Sequence, residues 1–285
     1  MSNREWAARP EPAIKSQGLG PTALLKNLWV HRELIRQLIW RDVSQRYRGS
    51  LMGVLWSFIT PLLLLFIYTF VFSLVLKVKW GQGDESVGEF ALTLFAGLNA
   101  FNLFAEIVSR SPGLILAVPN YVKRVPFPLE VLPFAAVCSA CIHSFIAGGV
   151  LVLGCGLLLG YVSPTLYLLP LAYAPLVLLC LSAAWLLSSL GVYVRDIGQV
   201  VGLVVQGLFF MSPVFYSVEA VPMPLRLIMY VNPLTTIISG FRRVILWRDY
   251  LPWLPWAGWL ALSLALAWLS YIWFIKTKKG FADVL

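Results

Sequence analysis

The chain has 285 residues, 59% of them hydrophobic and 12% charged, with a formal charge of +9. A soluble globular domain carries about twice that charged fraction, so the composition excludes one and directs the reading to an all-α polytopic membrane protein. In a soluble chain the excess of cations would point to nucleic acid; here it sits beside long apolar stretches, where the positive-inside rule accounts for it and no nucleic-acid partner is expected.

Residues 1–22 are polar and broken by Pro10, Pro12, Gly18 and Gly20, the composition of a flexible cytoplasmic tail. With no long apolar run before residue 51, no cleavable signal peptide is expected. Pro21-Thr22 has the form of a helix start. Over residues 23–48, Leu24, Leu28, Ile35, Leu38 and Ile39 recur at helical spacing, with Lys26, Glu33, Gln37, Arg41 and Arg48 roughly opposite. That pattern predicts a basic amphipathic helix in the cytoplasmic headgroup layer. Such a helix serves either as a plain anchor or as a platform for a cytoplasmic partner or an anionic lipid headgroup.

Residues 49–285 read as the membrane domain. A single span needs about 20 apolar residues, and six stretches qualify: 53–76, 90–118, 131–160, 166–194, 197–218 and 251–275. With a cytoplasmic N-terminus, 15 Lys and Arg fall inside and 6 outside. This bias places both termini in the cytoplasm. The inside loop Pro119–Pro128 combines three prolines, two cations and the side chains of Tyr121, Val122, Val125 and Phe127; it reads as a docking surface for another protein or as a plain tight loop. Arg195 and Asp196 form a second inside turn, where opposite charges can simply mark two helix ends. In the last outside region, Glu219–Tyr250, two apolar pieces (Leu225–Val231 and Leu234–Leu246) flank Asn232-Pro233, and each is too short to cross. Backbone at membrane depth must be shielded from lipid, so this region is expected to be a re-entrant pair of half-helices or to lie flat on the outer interface.

Little in the sequence suggests catalysis. It contains no Gly-x4-Gly-Lys-Ser/Thr loop for phosphates, no His-Glu-x-x-His and no Gly-x-Ser-x-Gly. Its carboxylates are scattered, and Cys138-x-x-Cys141 reads as small packing residues, so neither a metal nor a cofactor is assigned to this chain. Glu106 and Arg110, four apart in the second apolar stretch, are expected to pair with each other. Phe66 and Phe70, and Tyr68 and Phe72, are likewise four apart in the first span. Phe209, Phe210, Phe215 and Tyr216 crowd the outer half of the fifth. Aromatic faces stack on the C–H faces of sugars, so these rings suit either a path for a glycan or ordinary packing.

Several ordered segments resemble the permease subunit of ABC-2 type polysaccharide exporters, the class that moves O-antigen, capsule or teichoic-acid polymers. They are Arg41-Asp42-x3-Arg46-Tyr47-x-Gly49, Gly53-x2-Trp56-x4-Pro61, Val125-Pro126-Phe127-Pro128, Val194-Arg195-Asp196-Ile197, Ser212-Pro213-Val214-Phe215-Tyr216 and Asn232-Pro233-Leu234. The resemblance implies a bacterial plasma (inner) membrane location and a homodimer of six-span subunits embedded among membrane lipids. It further implies two copies of a separate ABC ATPase that carries the ATP and Mg, and a lipid-linked glycan as cargo. It assigns ATPase coupling to Tyr121, Val122, Lys123, Arg124, Val125 and Phe127 with Arg195 and Asp196, and the conduit to the first and fifth spans with their aromatics. Asn232 and Pro233 would belong to an outer gate. Arg41, Arg46 and Arg48, with Tyr47 beside them, are placed to attract the phosphates of the lipid carrier. The same scaffold would also serve a drug or lipid exporter; a proton-coupled carrier using Glu106, or a membrane-embedded enzyme, is a more distant alternative.

Overall fold

The computed structural model describes residues 20–47, 52–75, 86–123 and 127–285. All regular structure among them is helical. The N-terminal arm starts at Pro21, whose fixed φ and missing N–H suit the first helical position, and forms α1 (Pro21–Val30) and α2 (Arg32–Tyr47). The single helix expected over 23–48 is therefore broken at His31, although the hydrogen bonding continues through the break, with His31 N–H donating to Asn27 O and Ile35 N–H to His31 O. Ile35 and Leu38 are buried and Leu24, Leu28 and Ile39 pack beside them, the apolar face that the spacing predicts.

Then α3 (Trp56–Thr69) follows a 3-10 turn whose Gly53 sits at φ +49 and runs on as a π-helical turn over Phe70–Val75. From Trp56 to Val75 the helical backbone is about 30 Å long at 1.5 Å per residue, the thickness of a bilayer core. The next helix, α4 (Val87–Arg110), is capped by Ser86, whose hydroxyl accepts from Glu89 N–H at 3.1 Å, and ends in a 3-10 turn over Ser111–Gly113. It is apolar nearly all round and lies at the centre, packed by α3 and by helices that follow it in sequence. After the short α5 (Pro119–Lys123) come α6 (Val131–Gly154), extended by a π turn over Cys155–Leu159, and α7 (Leu169–Tyr193), preceded by a 3-10 turn from Pro164. Gly160, at φ +72, ends α6 in the left-handed conformation that favours glycine. Helix association in a membrane gains from small residues that let backbones approach; a Cβ on Gly191 of α7 would overlap the Pro112 carbonyl after α4.

The chain continues with α8 (Ile197–Met211), α9 (Met223–Val231), α10 (Pro233–Ile245), α11 (Trp253–Thr277) and α12 (Phe281–Val284). Four helical segments, Val87–Gly113, Val131–Leu159, Pro164–Tyr193 and Trp253–Val284, are long and apolar enough to cross a membrane. They coincide with the second, third, fourth and sixth predicted stretches. The fifth, expected over 197–218, stops at Met211, because Pro213 holds Ser212 extended (φ −103, ψ 147) and the helix cannot continue through it. At about 22 Å, α8 is shorter than the hydrocarbon core. Of the two short helices after α8, α10 buries Leu234, Ile237, Ile238, Phe241 and Val244 inside the bundle, against α4 and α7. On α9, Leu225, Leu227, Ile228, Tyr230 and Val231 are exposed.

Candidate functional site

At the predicted cytoplasmic end of α4, Glu106 and Arg110 lie on one helical face, as their spacing requires, but they do not pair with each other. On α2, Asp42 and Arg46 repeat the same i, i+4 interval, again with the acid first. The two helices join crosswise: Arg46 Nη2 meets Glu106 Oε1 at 2.5 Å, and Arg110 grips both oxygens of Asp42. Ser139 of α6 donates to the same Asp42 carboxylate. A bidentate guanidinium–carboxylate contact outweighs a single-point contact along one helix, which is why the pairing runs between helices. Burial would raise the Asp42 pKa, but the hydrogen bonds from Arg110 and Ser139 and the charges of Arg110 and Arg46 more than offset it. The carboxyl stays below its ordinary range.

This ladder separates two cavities. One, of about 490 Å³, is lined on its polar side by Arg41, Asp42, Gln45 and Arg110. The other, of about 460 Å³, opens between α3, α4 and α6, with Arg46 and Glu106 at one end and Asn99 and Ser144 at the other. Asn99 and Ser144 belong to a buried network in which Ser144 Oγ donates to Asn99 Oδ1 at 3.0 Å and Asn99 Nδ2 donates to the Tyr173 hydroxyl at 3.2 Å. Of the four interface-helix residues singled out from the sequence, Arg41 faces the first cavity and Arg46 is in the ladder. The Tyr47 side chain and Arg48 fall outside the described residues.

In the segment expected to couple to an ATPase the rings of Tyr121 and Phe127 stack, with centroids 4.7 Å apart and planes at 12°. Val122 is half-buried and Lys123 exposed, while Arg124 and Val125 lie outside the described residues. Arg195 and Asp196 are exposed at the turn between α7 and α8. Sequence reasoning missed the residue that anchors this end of the molecule. Glu130, fully buried just before α6, accepts from Asn27 Nδ2 of α1 at 2.7 Å and pairs with Lys278 Nζ at 2.9 Å. Its backbone carbonyl accepts from Trp185 Nε1 of α7 at 3.1 Å. Burial works against the Glu130 charge, but Lys278 and the hydrogen bonds hold its carboxyl below the usual glutamate range. The available signal was a lone carboxylate between Pro128 and an apolar run.

The expected conduit aromatics divide. Phe66 and Phe70 are exposed on α3; the Tyr68 and Phe72 side chains lie outside the described residues. Phe209 joins Phe101, Phe210 and Phe215 in one ring cluster, with Phe215 buried and Phe210 exposed, and the Tyr216 hydroxyl donates to Phe210 O at 2.6 Å. At the end predicted to face outward, Asn232 caps α10 through Leu234 N–H, and its Nδ2 donates to Ser212 Oγ at 2.9 Å. Pro233 takes the first position of the helix. Arg242, counted from the sequence as an outside-loop cation, is instead buried in α10. It donates to Thr93 O at 2.9 Å, Pro213 O at 2.6 Å and Val214 O at 2.9 Å, holding α4, α10 and the turn after α8 together. The break at Pro213 leaves carbonyls that need donors, and the guanidinium supplies them.

The profile of the ABC-2 type transporter family matches residues 33–246, a segment that holds the ladder, both cavities, Tyr121, Phe127 and Arg242. Over 265 residues the chain is 26% identical to the O-antigen export system permease protein RfbA of Myxococcus xanthus, a match covering 91% of this chain and 98% of the relative. It is 27% identical over 252 residues to a Klebsiella pneumoniae protein of the same description, covering 86% of this chain and 92% of the relative.

Proposed function

Because the chain belongs to the ABC-2 type transporter family, we propose that it is the transmembrane subunit of an ATP-driven exporter that moves a lipid-linked polysaccharide across the bacterial inner membrane. The observation that carries this reading is the likeness to O-antigen export permeases over most of the chain. Two copies of this chain would form the path and two copies of a separate ATPase, holding ATP and Mg, would drive it; the sequence itself has no phosphate-cradling loop. Both termini would be cytoplasmic.

The geometry supports a division of labour. ATPase closure would press on the segment from Tyr121 to Phe127, stiffened by its ring stack, with Arg195 and Asp196 at the neighbouring inside turn. Glu130 ties the far end of that segment to α1, α7 and the residues after α11, so displacement there would reach several helices together. The Asp42–Arg110 and Arg46–Glu106 pairs fix α2 to α4, and a lipid carrier's phosphates would meet Arg41 in the cavity on the α2 side. The outer gate would be α9 and α10, re-entrant about Asn232-Pro233, with the aromatics of α3 and α8 along the path. The carrier reading loses its motive, since Glu106 is engaged by Arg46.

The test is co-purification with an ABC ATPase encoded alongside the chain, followed by surface-glycan analysis of a strain lacking it. Glycan that accumulates inside and disappears from the surface is expected. A full surface glycan in that strain rejects the reading.

A further inference from the structure

The cavity between α3, α4 and α6 has walls of unequal character. Asn99 and Glu106 stand seven residues apart on α4, so its polar side runs about 10 Å along the helix axis. Asn102 and Thr60 line it with no hydrogen-bond partner among the described residues. Trp56 and Phe95 supply aromatic surface. Arg46 and Glu106 cancel each other across 2.5 Å, so this pair gives the wall no net charge. At about 460 Å³ the cavity is of the size that holds small molecules, whose sites combine apolar walls with a few convergent polar groups.

Polar side chains at membrane depth need partners, and those facing a cavity in a transporter mark ligand positions. The required ligand is uncharged, carries hydroxyls along its rim and has an apolar face to lay on a ring. A pyranose meets all three conditions; a phosphate or a lipid chain fails at least one. We propose that this cavity is a binding site within a single subunit for a neutral sugar ring of the exported glycan, held by Asn102 and Thr60 with Trp56 as its platform. The proposal rests on the polysaccharide-export reading above.

The test uses the permease–ATPase complex in lipid nanodiscs and, as probe, glycan released from the host's own surface by mild acid. Parallel titrations use inorganic pyrophosphate and vesicles bearing a neutral glycolipid. Saturable glycan binding, weakened about tenfold or more both by Asn102→Leu and by Leu64→Trp, is expected, with no competition from pyrophosphate. Leu64→Trp fills the cavity without removing a polar group, and it carries the test alone if Asn102→Leu fails to assemble with the ATPase. Variants that bind glycan as the wild type does overturn the proposal, as does displacement of glycan by pyrophosphate. Binding of the glycolipid alone overturns the assignment to the exported polymer. Export is scored separately: a deletion strain that keeps its surface glycan removes the exporter reading, whereas normal glycan binding by both variants, in a host that needs the chain for export, removes only this site.

Discussion

Replacing Arg242 with methionine keeps the length and apolar stem of the side chain and deletes its donors. The turn carbonyls of Pro213 and Val214 would then lose this buried donor, and Thr93 O would keep only its bond within α4. Stranding a buried acceptor costs about 1–3 kcal/mol; since the loop carbonyls can relax towards other donors, a total of about 3–5 kcal/mol is expected. For a chain of this size that corresponds to a fall of roughly 5–8 °C in thermal midpoint. A second variant locates the effect. A Cβ on Gly97 would overlap the guanidinium of Arg242, so Gly97→Ala should destabilise the wild type but be tolerated once residue 242 is methionine. The two changes should therefore be non-additive by about 1 kcal/mol or more, as neighbours sharing one contact are. The assay is thermal unfolding in nanodiscs for both single variants and the double. If Arg242→Met unfolds at the wild-type temperature, or if the two changes add independently, the guanidinium does not hold these three segments together.

Reversing the ladder tests its crosswise pairing. Arg110→Asp alone should loosen α2, and adding Asp42→Arg should restore it, with a coupling of only about 1 kcal/mol because both groups are partly exposed; protease accessibility of α2 reports this. Glu130, with its pKa below that of an unfolded glutamate, contributes stability that is complete above the ordinary glutamate range and is withdrawn as the pH falls through the lowered native value. Unfolding between about pH 6 and pH 3 should show that acid loss in the wild type and not in Glu130→Gln, given model glutamates near 4.3. Tyr121→Ala removes the stack on Phe127, a contact of about 0.5–1.5 kcal/mol; export should fall severalfold while the ATPase still co-purifies, and undiminished export would separate the stack from coupling.

The apolar stretches were legible because a bilayer imposes length and charge rules on every residue within it, and four of the six became long helices at nearly the predicted bounds. The buried face of the arm was legible for the same kind of reason, as Ile35 and Leu38 show. What escaped were choices among partners. Glu106 and Arg110 read as a pair because one helix alone can be inspected in a sequence, whereas Asp42 and Arg46 reach them only through the packing of α2 on the bundle. The overlong fifth span had a local signal in Ser212-Pro213 that the run of apolar residues outvoted. Arg242 and Glu130 sit where ionised side chains are expected only in water; what each of them satisfies lies more than 25 residues away in sequence.

The position of Glu130 also dictates an order of assembly. Its carboxylate takes one partner from residue 27 and another from residue 278, so a nascent chain inserts α6 long before the second partner has been synthesised. Until Lys278 emerges from the ribosome, that end of the bundle holds an acid with half its clamp missing. Closure of this end of the bundle thus becomes one of the last steps of biogenesis, and loss of Lys278 and the residues after it would leave an unfinished bundle for proteolytic surveillance to find.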